Sequence, residues 1–335
     1  MKELLDAIIS ALDKQQPVVI VTIIASSGST PRGAGATMAV FRDGSSAGTI
    51  GGGAVEYAAQ QHAAHMFSSG HSHISSYELE KNDVADLGMI CGGDVTVYYE
   101  YVDAADKRNR ELLGFMRTAF DRNVNSWVVR RFGKGSTETA VFDDDGLHFA
   151  VDIKEGEIRS LLGNAPELTE GEIQFYTEPL TRTGKVYVFG GGHVARELVP
   201  VLSHVGFSVD VYEDREKFAK PELFPGVVNI ILHGFDRISE KISISDEDFV
   251  VVMTRGHQMD FEVLDQVLRT PARYVGCIGS SRKVAATKER LIKAGVAESA
   301  FERLYSPIGL RIKADTPAEI AISIAAEMIK FRAEN

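Results

Sequence analysis

The stretch Val186 to Asp214, VYVFGGGHVARELVPVLSHVGFSVDVYED, constrains this chain more than any other. A β-branched apolar run enters a glycine turn, a helix-like stretch follows, and a second apolar run ends on acidic residues. Gly190, Gly192 and Ala195 fall on the G-x-G-x-x-A spacing of a dinucleotide-binding turn. Glycine there lets the backbone approach a phosphate, and a helix beginning near His193 offers free amides and a partial positive charge. Glu213 stands close to the ~20-residue offset at which a ribose-binding acid is expected. In phase with Val209 and Val211, it is expected to point up from the strand end toward a ribose, with Asp214 as its neighbouring candidate. The same turn also occurs in Rossmann-type domains that bind no nucleotide, because fold does not carry function.

This unit begins past the middle of a chain of 335 residues, 44% of them hydrophobic. Single cores rarely grow past roughly 250–300 residues, so two domains are expected. A small polar joint, Thr181 to Lys185, divides residues 1–180 from residues 185–335. After it, VYVFG, FSVDVY, VVNIIL, DFVVVMT and RYVGCIG alternate with helical stretches, which implies a Rossmann-like, doubly wound parallel sheet. The last helix opens on Thr316-Pro317-Ala318-Glu319, a capping box with proline at the first helical position. The first domain reads as mixed α/β. An amphipathic helix at the start carries Leu4, Leu5, Ile8, Ile9 and Leu12 and does not read as a signal peptide. PVVIVTIIA and ATMAVF are strands, Asp43-Gly44 a hairpin turn, Ala54 to Phe67 a helix and DVTVYYEYV another strand. Short strands with turn residues follow up to about Leu180.

A net charge of −11 without a Lys/Arg run argues against nucleic acid or an anionic membrane as a general partner. No apolar segment approaches the ~20 residues needed to span a bilayer. Two cysteines, Cys91 and Cys277, cannot supply a disulfide framework or a four-cysteine zinc site, and a reducing cytoplasm is the simplest setting.

Two glycine-rich loops in the first half add candidate anion sites. Ser26 to Gly33 lacks the G-K-[ST] ending of a Walker A loop, yet Ser29, Arg32 and Gly33 follow a buried strand, and Arg32 can take a phosphate bidentately. Gly51, Gly52 and Gly53 precede a helix with Glu56 in its first turn, a second concave, amide-rich edge. In the second half, Ser280, Ser281, Arg282 and Lys283 lie between a strand and a helix, which again favours an anion. His257 and Asp260 can form an oriented imidazole–carboxylate pair near a strand's C-terminal end. Cys91 stands beside two glycines at a strand entrance, where a thiolate suits a soft centre, and Cys277 reads as core. His62, His65, His71 and His73 lack a carboxylate or cysteine at zinc-site spacing and read as surface histidines.

Taken together, GSTPRGAGATMAVF, GTIGGGAVE and MICGGDV, followed in order by FGGGHVA, YEDR, VVMTRGHQMD, YVGCIGSSRK and PIGLRIKADTPAEIAISIAAE, resemble the XdhC/CoxI family of xanthine dehydrogenase accessory proteins. The resemblance runs from about residue 17 to 330. It implies a molybdenum cofactor (molybdopterin) insertion chaperone with no catalytic residues, serving a xanthine dehydrogenase-type apoenzyme in purine catabolism. A cysteine desulfurase would be a further partner if a terminal sulfido ligand is installed, and a homodimer is expected. Such a protein can carry the label of a dehydrogenase subunit. The implied cofactor site lies where the glycine loops face the C-terminal ends of the Rossmann strands. Ser29, Arg32, Gly33, Gly51 to Gly53, Glu56, Gly190, Gly192, His193, Glu213, Asp214, Arg255, His257, Ser280 and Lys283 would form it, with Cys91 toward molybdenum. The chain departs from the family pattern at Thr254-Arg255-Gly256-His257, where a histidine usually stands at the arginine's position; Arg255 favours an anion contact instead. The competing readings are an NAD-dependent oxidoreductase using Gly190, Gly192, Glu213 and His257, and a structural subunit of a dehydrogenase complex.

Overall fold

The computed structural model describes residues 1–28, 30, 32–79, 93–122, 124–181, 184–279 and 281–334, without the side chains at 54, 78–79, 257 and 281–285. It divides into two compact units, Met1–Arg182 and Thr183–Asn335. Among the described residues no helix is long and apolar enough to cross a membrane.

The first unit holds two five-stranded antiparallel sheets. In one, β1 (Val18–Gly28) is central, flanked by β2 (Thr37–Phe41) and β5 (Gly93–Val102), with β3 (Ser46–Gly48) and β4 (His73–Leu79) at the edges. Val18 and Ile20 on one face pack with Leu4, Leu5, Ile8 and Leu12 of α1 (Lys2–Asp13). Val19, Val21 and Ile23 on the other face pack with Ala59, Ala63 and Met66 of α2 (Gly53–Ser69). This two-sided burial explains why β1 is a continuous apolar run rather than an alternating one. The second sheet has the order β8 (Gly146–His148), β7 (Ser136–Asp143), β6 (Ser126–Gly133), β10 (Gln174–Thr181), β9 (Glu167–Leu168). Val128 and Val141 join the α1 cluster together with Leu112, Leu113 and Met116 of α3 (Lys107–Arg122).

The second unit carries a six-stranded parallel sheet. Its order is β13 (Asn229–Leu232), β12 (Ser208–Glu213), β11 (Lys185–Phe189), β14 (Phe249–Val252), β15 (Tyr274–Cys277), β16 (Leu304–Tyr305). Val186 and Val188 face a cluster with Leu198 and Leu202 of α4 (His193–His204) and with Ile324 and Met328 of α7 (Pro317–Glu334). Tyr187 and Phe189 face the opposite cluster with Val263 and Leu264 of α5 (His257–Val267) and Leu291 of α6 (Ser281–Lys293). Helices on both faces make the sheet doubly wound, as its strand–helix alternation implies. The α7 start forms both bonds of its capping box: Thr316 N donates to Glu319 Oε2 at 2.9 Å, and Glu319 N donates to Thr316 Oγ1 at 3.3 Å. The two-residue β16 has no readable period and escapes sequence reading.

Candidate functional site

Strand order reverses at β11. From it the chain proceeds outward through β12 and β13 on one side, then returns to β14 on the other. The crevice beyond the C-terminal ends of two such strands is where open α/β sheets hold ligands. The exits of β11 and β14 are pressed together. Gly190 has φ +105°, and a Cβ there would stand 2.5 Å from the Met253 carbonyl oxygen, so only glycine is accommodated. The helices leaving these strands, α4 and α5, start at the ends of adjacent strands and pack on opposite faces of the sheet. Their N-caps are Gly192 and Gly256, and neither helix has a side-chain cap. A Cβ on either glycine would meet nothing within 4 Å. Two helix N-termini thus present uncapped amides to open space, an arrangement suited to an anion. His193, the first residue of α4, is exposed beside them.

Glu213 corrects the sequence expectation. It does not point up toward an open ribose site but is fully buried under the turn. Its Oε2 accepts the Gly191 amide at 2.6 Å, and its Oε1 accepts Arg215 Nε at 2.8 Å and the Arg215 amide at 3.1 Å. Burial opposes its ionisation, but these bonds prevail and hold the carboxyl below its ordinary range. The approach to Gly191 is closed as well, because a Cβ there would lie 2.6 Å from the Phe218 carbonyl oxygen and 3.1 Å from the Phe224 ring. Asp214, at the strand end, keeps 17% of its side chain exposed. Burial and the adjacent Glu213 raise its pKa, while Arg255 and Arg215 pull it down. Arg255, at the β14–α5 loop, reaches Asp214 Oδ2 at 3.1 Å and is itself 49% exposed, so much of its guanidinium faces solvent. Asp260 turns its carboxylate back to Thr254, accepting the hydroxyl at 2.6 Å and the amide at 3.1 Å, which fixes the loop carrying Arg255. His257 opens α5, but its side chain lies outside the described set, as do Ser280 and the side chain of Lys283. Cys277 is buried core, and burial pushes its thiol up to about 12.

In the first unit, Arg32 and Gly33 are exposed on the loop after β1, while Ser29 and Cys91 lie outside the described residues. The glycine edge before α2 differs from its expected use. Gly51, Gly52 and Gly53 all have positive φ, and the concave edge they make is filled by the chain's own carboxylate. Glu56 Oε2 accepts the Ile50 and Gly52 amides, each at 3.0 Å, and the Thr49 hydroxyl. Burial opposes its ionisation, yet the Thr49 hydroxyl and the Gly52, Ile50 and Gly51 amides keep Glu56 below its ordinary pKa. An incoming anion would have to displace it.

Two polar groupings differ from the sequence expectation or were not part of it. Arg130 is buried between Glu178, at 3.1 Å, and Glu100, at 3.5 Å, with Tyr176 donating to Glu178 at 2.8 Å. The signal was present as charges at inward strand positions, in WVVRRF, YYEYV and FYTEPL. His62 and His73 are not plain surface histidines, since their Nε2 atoms contact each other and both rings pack on Tyr99. Among the described residues no three His, Cys, Asp or Glu side chains converge as a metal would require.

A family model described as the XdhC Rossmann domain matches residues 186–328, and one described as the XdhC and CoxI family matches residues 11–78. The chain is 26% identical over 94% of its length to the uncharacterized protein YqeB of Escherichia coli (strain K12), but spans only 44% of that protein. It is 25% identical to a probable xanthine dehydrogenase subunit of Bacillus subtilis (strain 168), covering 98% of this chain and 96% of the relative. The molybdenum cofactor insertion chaperone PaoD of Escherichia coli (strain K12) is 21% identical, with 97% and 86% covered. A crystal structure of a xanthine dehydrogenase from Bacillus halodurans superposes with a TM-score of 0.82 at 27% identity, covering 100% of this chain and 96% of that one.

Proposed function

The chain belongs to the XdhC and CoxI family, and on that premise we propose that it holds molybdenum cofactor and delivers it to a xanthine dehydrogenase-type molybdenum hydroxylase. The cofactor is cargo here: a pterin bearing a phosphate at one end and a dithiolene that carries the metal. The observation that carries the reading is the pair of uncapped helix starts at Gly192 and Gly256, with Arg255 half-exposed between β14 and α5. Backbone amides, a helix-end charge and a guanidinium together fit a phosphate. His193 at the same edge can donate a further hydrogen bond. The partners on this reading are the apoenzyme and, where a sulfido ligand is installed, a cysteine desulfurase. PaoD, named as a molybdenum cofactor insertion chaperone, and the Bacillus subtilis relative, named as a xanthine dehydrogenase subunit, point the same way.

The NAD-dependent alternative loses its main support. Glu213, which would hold a ribose, is buried and bonded to Gly191 and Arg215. A site needs no turnover to bind, shield and release.

The test is reconstitution. A cofactor-free hydroxylase of this type is supplied with molybdenum cofactor through the chain, and recovered activity is measured. Arg255→Ala should lower the recovery about tenfold, a loss of about 1.4 kcal/mol in cargo binding. Full recovery with Arg255→Ala would remove the arginine from the site.

A further inference from the structure

The first unit contains a cleft of about 640 Å³ whose lining, among the described residues, takes none from either glycine loop. It opens where the start of β4, the first turns of α3 and the β6–β7 hairpin meet over β5. This volume falls within the roughly 300–1,000 Å³ range of small-molecule sites. Among the described residues its wall carries one carboxylate, Glu100, and that charge is already engaged. Glu100 Oε1 accepts the Thr139 hydroxyl at 2.9 Å, and Oε2 faces Arg130 Nε at 3.5 Å. The cation on the wall, Arg108, is not matched in this way. Its Nη2 donates to the Thr139 carbonyl at 3.2 Å and to the Phe149 carbonyl, and among the described residues no carboxylate pairs with it. Neutral carbonyls fix the direction of the guanidinium without cancelling its charge. Asn109, Ser136, Thr137 and His71 add donors around the mouth, and Phe132 and Tyr101 add ring surface.

We propose that this cleft binds a small organic oxyanion, its anionic end at Arg108 and Asn109 and its body against the rings. A half-buried cation held by neutral acceptors favours an anion more than an exposed one does, because its field is less screened. A phosphate ester and a carboxylate share this chemistry, and the experiment separates them. The site is independent of Gly192 and Arg255, so it stands or falls apart from cofactor delivery.

The full chain is titrated calorimetrically with inorganic phosphate, ribose 5-phosphate and succinate. One saturable site per chain is expected for at least one organic probe, and the tighter of the two identifies the preferred end group. Asn109→Asp, which brings a carboxylate to the anion's position, should weaken that binding at least tenfold. Should Asn109→Asp disturb folding, Ser136→Asp on the exposed hairpin supplies the same repulsion and should weaken binding severalfold. The proposal is overturned if no probe saturates, or if a folded variant of either kind binds as the unaltered chain does.

Discussion

Three consecutive glycines at the β11 exit have three separate causes. Gly190 is required by its positive φ and the approach of Met253, and Gly191 by the Phe218 carbonyl lying over it. Gly192 is required by neither, since its φ is −74° and open space surrounds its Cβ position. This separates folding from function at adjacent positions. Gly191→Ala should destabilise the chain by about 1–3 kcal/mol in urea unfolding, the usual cost of overpacking. Gly192→Ala should cost less than about 1 kcal/mol, the loss of a favourable N-cap, yet weaken cofactor binding about tenfold by standing where the phosphate approaches. Equal stability effects at the two positions would contradict this assignment. The glycine spacing was fully legible in the sequence. The fate of Glu213 was not, because it depends on Arg215 folding back two residues later and on Phe218 covering the turn, with the Arg215 guanidinium 3.9 Å from that ring's centroid. The same limit applies to Glu56. Its position in the first turn of α2 was visible, but whether the amides ahead of it await a ligand or bind Glu56 itself depends on backbone angles at three glycines.

At the scale of elements, periodicity carried most of the reading. It failed where charges turn inward or where contacts join distant strands. The antiparallel sheet from β6 to β10 buries Arg130 with Glu178, Arg130 being 4% exposed, and Glu100 reaches the same guanidinium from β5 of the other sheet. Removing one partner of a buried ionic network leaves uncompensated charge. Arg130→Met should therefore cost about 3–5 kcal/mol in urea unfolding, and a loss below about 1 kcal/mol would show the network to be solvated. The contact between His62 on α2 and His73 on β4 gives a pH dependence. Burial, then His73 and His65, lower the His62 pKa from its ordinary 6.5. The folded chain then binds fewer protons at His62 than the unfolded chain in the window just below pH 6.5, so stability rises with pH there and levels off above it. The melting temperature should fall as pH drops from about 6.5 toward 5, and His62→Gln should flatten that fall. An unchanged slope in the variant would remove His62 as its source.

Across the whole molecule, each unit closes its own hydrophobic clusters, and the second places its open helix starts at the reversal of strand order. The strand–helix alternation implied a doubly wound sheet, whereas the point at which its strand order reverses depends on pairings between distant strands that no local pattern carries. The measurement that tests the central claim most directly is equilibrium binding of the full chain to molybdenum cofactor, and separately to NAD and NADH, under anaerobic reducing conditions. The account predicts saturable cofactor binding that weakens about tenfold in Gly192→Ala and in Arg255→Ala, with no comparable affinity for either dinucleotide. Binding of NAD or NADH alone, unaffected by Arg255→Ala, would contradict it.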